Sequence, residues 1–482
     1  MAGVSGIGSG IDIDSIVSSM VAAERAPKQT QLANLEKKTT TQITAIGALK
    51  GAISDFQAAL GALNKPELFQ ARSATSSKSE MVGVSAATTA GAGSYQVEVK
   101  SLASSSKVAL AAIPNTTEAP VRFTSGTFEV SLGVPGIAPA PNTKESFSVT
   151  VDENNNTLAG VRDAINTAGK EMGVSATIVT DVEGSRIVLS SSKTGAGRDI
   201  TVSANGADEN ELVGLSALNF TGTSGTGKDA RVLTSAQSAE LYVDGLRVIS
   251  ETNKVDSAIE GVMLDLKAKT VANEPLTIAV AEDKAGVKKQ IQAFVDSYNK
   301  LIGVINAQTK VTAVGDGKAP VTGALVGDAT ARSLLSTIRN ELVNPQGDGA
   351  LRALTDLGIT TQKDGTLKIE DTKLQKALDN NFAELPALFA GESGIASRLD
   401  EKLKPYTQSG GILEQRNKVM TETISDIDKQ KENLTRRVAS LQERLYKQFN
   451  AMDMLVGQLS STSSSLLASL ENLPWAANNS KK

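Results

Sequence analysis

Residues 222–229, GTSGTGKD, come within one position of a phosphate-cradling loop. Gly222, Gly227 and Lys228 keep the spacing at which backbone N–H groups and an ammonium wrap a nucleotide's phosphates. Asp229 stands where a Ser or Thr hydroxyl would meet magnesium, and the DARVLTSA that follows is no amphipathic helix whose N-terminus could face an anion. The segment reads as a polar linker. Asp152, Asn154, Asn156 and Asp163 fall at the first, third, fifth and twelfth positions of a calcium loop. Thr157 replaces the glycine needed at the sixth, and Asp163 is shorter than the usual Glu; a strand-to-helix turn capped by Asn accounts for the same residues. The chain has no cysteine and no histidine, which removes disulfides, thiolate nucleophiles, the commonest metal ligand and the commonest general base. Its 53 acidic residues single out no glycosidase pair. The expectation is therefore a protein that is not an enzyme, with no catalytic, cofactor or metal site.

What remains is assembly. At 482 residues the chain can hold three or four domains of ordinary size. Aromatic residues are only 3%, so cores must be built from Val, Ile, Leu and Ala. The net charge of −4 comes from mixed signs, giving no footprint for nucleic acid or an anionic membrane surface. No apolar run reaches membrane-spanning length and the start lacks a secretory signal, so the ordinary rules read a soluble cytoplasmic chain without membrane insertion.

The elements that must position any binding surface are two heptad stripes. Ile424, Ile427, Lys431, Leu434, Val438, Leu441, Leu445, Gln448, Met452, Leu455 and Leu459 alternate steps of three and four, uninterrupted by proline. Near the other end Leu32, Leu35, Thr39, Gln42, Ile46, Leu49, Ile53, Phe56, Leu60 and Leu63 keep the same spacing. The seams can close on each other as a hairpin in one subunit or associate between subunits, and sequence leaves both open. Narrow stripes flanked by Ser, Thr, Ala and Gln are expected to stay largely disordered until a partner arrives. Asp12, Asp14 and Ser15 offer N-capping oxygens, and Pro27 is read as a first-turn residue or a break between helices. The polar run Lys38–Gln42 reads as a joint, matched near the C-terminus by Gly410-Gly411. Trp475, outside any periodic segment, is a candidate partner contact.

Between the stripes the period changes. Tyr95, Val97 and Val99, then Phe128, Val130 and Leu132, then Phe147, Val149 and Val151 alternate with polar residues as strands. Residues 157–168 carry Leu158, Val161, Ile165 and Ala168 on one helical face, and Asp244-Gly245 signals a hairpin. Beyond Ala285 the spacing of Ile291, Phe294, Val295, Tyr298 and Leu301 is helical again. The expected fold is a multi-domain α+β chain in nested order. Residues 1–42 with 415–482 form a terminal coiled-coil leg, and 43–80 with 281–414 a helical domain. Residues 81–124 with 228–280 form a β-rich domain, and 125–227 an inserted β/α domain.

The opening GIGSGIDIDSIVSSMVAAERAP resembles the start of the bacterial flagellar filament-capping proteins, the second hook-associated protein family. SYQVEVKSLASSSKVAL is similar to that family's N-terminal domain, and TLAGVRDAINTAGKEMGVSATIV to the hook IN motif shared with some flagellins. ELYVDGLRV, VDSAIEGVMLDLKA and KKQIQAFVDSYNKLI resemble its C-terminal domain. The resemblance implies a secreted, homo-oligomeric ring at the distal tip of the flagellum, beneath which exported flagellin folds and polymerises, in place of the cytoplasmic reading. It implies as partners flagellin, the hook–filament junction proteins, the flagellar type III export apparatus and an export chaperone at the C-terminal segment, where Trp475 is the candidate contact. Host mucin is a further partner of such proteins, with no residue assignable. Leu32, Leu35, Ile46, Leu49, Ile424, Ile427, Leu434, Val438, Leu441, Leu445, Met452, Leu455 and Leu459 are then the expected contacts to other subunits or to flagellin. Two other readings stay open: an adhesin using the loops of residues 111–227, and a junction or flagellin-type filament component.

Overall fold

The computed structural model describes residues 10–114, 120–133, 145–208, 212–315, 319–345 and 349–471. Helices run at Ile13–Leu63 (α1), Pro66–Gln70 (α2), Leu158–Ala168 (α3), Lys284–Thr309 (α4), Ala329–Val343 (α5), Asp371–Asn380 (α6), Leu385–Phe389 (α7), Ile395–Thr407 (α8) and Ile412–Glu471 (α9). The chain is an α+β protein with two compact units, Met1–Leu68 with Ala285–Lys482 and Phe69–Lys284.

In the first unit α1 is one unbroken helix of 51 residues. Asp12 caps it, its Oδ1 accepting from the Ser15 N–H at 3.0 Å. Two expectations fail here. Pro27 neither starts nor divides the helix. It lies on an exposed stretch, where water can solvate the carbonyl that its missing N–H leaves over. The polar run Lys38–Gln42 is no joint either: Thr39 and Thr41 return their hydroxyl protons to the carbonyls of Leu35 and Lys37, at 2.9 and 2.7 Å, so polar side chains are satisfied without leaving the helix.

From Leu49 onward α1 enters a helical core. Phe56 meets Phe294 and Tyr298 of α4 at ring-centroid distances of 5.6 and 5.8 Å. The buried Tyr298 hydroxyl donates to the Gly365 carbonyl at 2.9 Å, and burial pushes the phenol up to about 12. Gly410, with φ at +69°, turns the chain from α8 into α9, a backbone state that glycine adopts without strain.

The N-terminal turns of α9 are anchored electrostatically. Arg416 donates both terminal nitrogens to Asp328, at 2.9 and 2.5 Å, while Asp328 also caps α5 by accepting from the Ala331 N–H. The Arg416 hydrogen bonds hold the Asp328 carboxyl below the ordinary carboxylate range. A depressed carboxyl contributes stability that is complete above its unfolded pKa and lost as pH falls through the folded one. The stability difference between the wild type and Asp328→Asn should therefore be constant above about pH 5 and shrink steadily below about pH 4. Urea midpoints measured at several pH values check this; a difference that persists unchanged into acid would remove the pair from the account.

The second unit is antiparallel throughout its paired strands. Its five-stranded sheet runs Arg72–Ser76, Leu276–Glu282, Gly93–Ser101, Ala239–Val243, Leu246–Ser250. A three-stranded sheet runs Lys254–Ile259, Val262–Leu266, Val82–Ala86, and together they bury Val97, Val99, Leu241, Ile278, Leu264 and Leu266. Asp244 and Gly245, at φ +49° and +83°, close the hairpin that their dipeptide announces. Arg72–Ser76, which sequence reading placed in the helical part ending at residue 80, is an edge strand paired with Leu276–Glu282. RSATS has no apolar alternation, so nothing but the backbone ladder reveals it.

The inserted part takes in more than the expected residues 125–227: Arg231–Thr234 and Ser105–Ala109 pair with Gly184–Thr194 and Val174–Asp181 in one sheet and bring Val108 and Leu110 into its core, while Glu145–Val151, Gly126–Leu132 and Ile200–Ala204 form another. Val161 and Ile165 of α3 enter the core with Phe123 and Phe128. Thr157, rather than an Asn, caps α3, its Oγ1 accepting from Gly160 at 3.1 Å.

Candidate functional site

The two loops that imitate ligand sites hold the protein's own groups. Asp152 Oδ1 accepts from the Asn154 N–H, Asn155 Oδ1 accepts from the Asp152 N–H, and Asn156 holds Arg122 and the Phe123 carbonyl. These amides and this carboxylate form a turn against backbone. Among the described residues no cluster of three or more Asp, Glu, His or Cys could hold a metal.

Around the phosphate-loop lookalike the polarity is reversed. The carbonyls of Gly227, Lys228 and Asp229 accept from the guanidinium of Arg186, the latter two at 3.2 and 2.8 Å. A phosphate needs N–H groups, so this loop is arranged for a cation. Arg186 is 1% exposed, donates also to the Leu110 carbonyl, and pairs with Asp181 at 2.8 Å. It ties together the strand entering the inserted part and the segment leaving it.

The heptad stripes do meet, within one subunit and antiparallel. Three ion pairs fix the direction: Glu24 with Arg437 at 2.9 Å, Glu36 with Lys431 at 2.6 Å and Lys50 with Glu414 at 3.5 Å. At the far end Ile13 and Val17 of α1 close on Leu445, with Val21, Leu441, Tyr446 and Phe449 packed around them. The expectation of disordered legs thus gives way to a preformed hairpin: each stripe finds in the other the apolar area that offsets its ordering entropy.

Not every expected seam residue lies in it. Leu32, Ile46, Leu49, Ile427, Val438 and Leu445 are buried, while Ile424, Leu434 and Leu441 are half-buried. Leu35 is 42% exposed, and Met452, Leu455 and Leu459 are exposed as well. The difference between Leu32 and Leu35 has a geometric cause. Where α1 faces only α9, one line of contacts suffices, through Leu32 and Thr39; Gln42, on the second line, already reaches the Ala324 carbonyl at 3.5 Å, and from Leu49 onward α1 also packs on α4 and α8, so Leu49, Phe56 and Leu63 are buried too. Sequence reading missed the cluster at Ile13 and Val17, because the heptad before Leu32 puts Arg25 and Lys28 at both core positions and hides the seam's continuation. The four-residue step from Ile13 to Val17 was the available signal. Trp475 lies outside the described residues.

Fold and seam define a class: a modular α+β chain whose terminal helices form a coiled hairpin, organised for assembly. Family models match it along most of its length, the flagellar hook-associated protein 2 N-terminus over residues 9–106, its C-terminus over 236–461, and the flagellin hook IN motif over 141–193. The B-type flagellar hook-associated protein 2 of Pseudomonas aeruginosa is 46% identical over 482 residues, covering 99% of each chain. The flagellar hook-associated protein 2 of Escherichia coli K12 is 30% identical, covering 98% of this chain and 99% of its own. The crystal structure of the flagellar cap protein FliD D1-D2-D3 domains from Escherichia coli superposes with a TM-score of 0.59 at 26% identity, over 78% of this chain and 99% of that one. The chain belongs to the flagellar hook-associated protein 2 family.

Proposed function

We propose that this chain is a flagellar filament cap, a homo-oligomer at the distal tip that retains exported flagellin and promotes its folding and polymerisation. The observation that carries the reading is the end-to-end relationship to hook-associated proteins 2, which includes both terminal helices as well as the inner domains. The cap reading is favoured over adhesion, since the matched relatives are named for the flagellum. In this reading the protein acts by assembly and not by catalysis.

The finer parts of the proposal follow from it. The chain leaves the cell through the flagellar type III apparatus, with a chaperone on its C-terminal segment, and meets the hook–filament junction before growth begins. Within each unit we retain a division of labour. The α1–α9 hairpin serves as leg and the remaining helices as its base; in the other unit the β-rich part carries the inserted part.

Deleting the gene in a flagellated host of the same family and supplying it again on a plasmid tests the reading. Without the protein, flagellin should appear unpolymerised in the medium and electron microscopy should show hooks with no filament; complementation should restore filaments. Normal filaments in the deletion strain would reject the cap.

A further inference from the structure

Asn205 is followed by glycine, the one Asn-Gly step in the chain. Glycine has no Cβ to screen its backbone nitrogen, so a five-membered ring can close between that nitrogen and the carboxamide carbon of the asparagine before it. The fold decides whether such a step reacts. A carboxamide or N–H engaged in hydrogen bonds, or shut away from water, is protected.

Neither protection is in place here. The strand Ile200–Ala204 ends just before Asn205, which is exposed and is anchored by its main chain, its N–H donating to the Thr127 carbonyl at 3.0 Å. Among the described residues no acceptor holds the Gly206 N–H and no group holds the Asn205 carboxamide. The two described Asp-Gly steps differ. Asp244 Oδ1 accepts from the Gln96 N–H at 2.8 Å, and Asp364 Oδ1 accepts from the Thr366 N–H and hydroxyl at 3.0 and 2.7 Å. A glycine neighbour, exposure and an unengaged amide coincide at Asn205.

We propose that Asn205 is a covalent modification site, at which the folded protein deamidates spontaneously with water as co-reactant. Hydroxide takes the Gly206 amide proton, and the nitrogen attacks Asn205 Cγ. That N–C bond forms, the carboxamide C–N bond breaks, and ammonia leaves with a proton from water, giving a succinimide. Water then opens the ring on either side. Cleavage of the new N–Cγ bond leaves an ordinary aspartate. Cleavage of the original peptide C–N bond leaves an isoaspartate, whose main chain runs through the side chain and gains one methylene.

The extra methylene falls where the fold has little room. A Cβ on Gly206 would come within 2.5 Å of the Thr124 hydroxyl oxygen. The same oxygen accepts from the Leu215 N–H at 3.1 Å, and the Gly206 carbonyl accepts from the Ser216 N–H at 3.1 Å. Leu215 is buried in the core of the inserted part. Isoaspartate should therefore loosen Leu215, whereas ordinary aspartate adds only an exposed charge.

Full-length protein is held at mildly alkaline pH, in the native state and in parallel in urea, and each asparagine is followed over time by peptide mass spectrometry. An isoaspartate-specific methyltransferase labels the lengthened product. In the native protein Asn205 should deamidate at least about tenfold faster than any other asparagine, a barrier lower by about 1.4 kcal/mol, and faster still as pH rises. Asn205→Gln should abolish labelling at this position, since the longer side chain must close a six-membered ring. Aged protein should be cut by protease beside Leu215, while Asn205→Asp, which carries the charge without the added methylene, stays resistant.

Deamidation of Asn205 in urea but not in the native protein would overturn the proposal, because the fold would then protect the step. A native rate no faster than at the other asparagines would overturn it as well. Aspartate formed without any isoaspartate would remove the attack by Gly206. Equal protease resistance of aged protein and Asn205→Asp would overturn the loosening of Leu215.

Discussion

Leu441→Asp together with Leu445→Asp should abolish or severely shorten flagellar filaments while the altered protein is still exported. Leu445 is 8% exposed and packs with Ile13 and Val17 at the end of the α1–α9 hairpin, with Leu441 against the same cluster. Aspartate there forces either a buried, unsolvated charge or separation of the helices. Loss of leucine packing alone costs about 2–5 kcal/mol at a buried site, and the charge adds to that. The hairpin end has few other apolar contacts, so separation is the cheaper outcome. The first turns of α1 should then become protease-sensitive while the rest of the chain keeps its fold. Two readouts distinguish this from general misfolding: limited proteolysis of the purified variant, and unpolymerised flagellin in the culture medium. Glu443, exposed and paired with Lys447 at 2.8 Å, is the control, and Glu443→Gln should leave filament length near normal. Normal filaments from the double aspartate would mean that the hairpin end does not bear on capping.

Arg186→Met should lower the melting temperature of the β-rich unit by roughly 10 °C. The guanidinium is buried and serves Asp181 and the carbonyls of Leu110, Gly227, Lys228 and Asp229 together. Methionine fills similar space but donates nothing, leaving these acceptors unpaired in a dry site. Breaking such a buried pair typically costs about 3–5 kcal/mol. Because the acceptors lie on the strand entering the inserted part and on the segment leaving it, proteolysis should begin near residues 221–230. Arg186→Lys should recover part of the loss, since an ammonium keeps the charge but cannot reproduce the planar fork. A melting temperature within about 2 °C of the wild type would show that water replaces the guanidinium at little cost.

Several features could be read without any structure. Lack of cysteine and histidine set aside the commonest catalytic chemistries. The alternation at Val97 and Val99, the Asp244-Gly245 turn and the helical face of residues 157–168 located strands, hairpin and helix, because each depends on side chains a few residues apart and on local backbone preferences. Where sequence reading went astray, the missing information was environmental. Pro27 ends a helix only if its orphaned carbonyl lacks water, and Arg72–Ser76 is a strand only because Leu276–Glu282 lies beside it. Periodicity cannot report either condition.

The binding surfaces divide in the same way. Heptad spacing marked Leu441 and Leu445 as seam residues and Leu455 and Leu459 with them, since one helix gives all four the same face. Tertiary structure alone separated the first two, met by Ile13 and Val17, from the second two, beyond the reach of α1. It also decided that the residues resembling a phosphate loop hold a guanidinium, because Arg186 comes to Gly227 from a distant strand. Local chemistry determines which face of an element is apolar and which groups can donate or accept. What covers that face depends on residues hundreds of positions away, and only the folded chain brings them together.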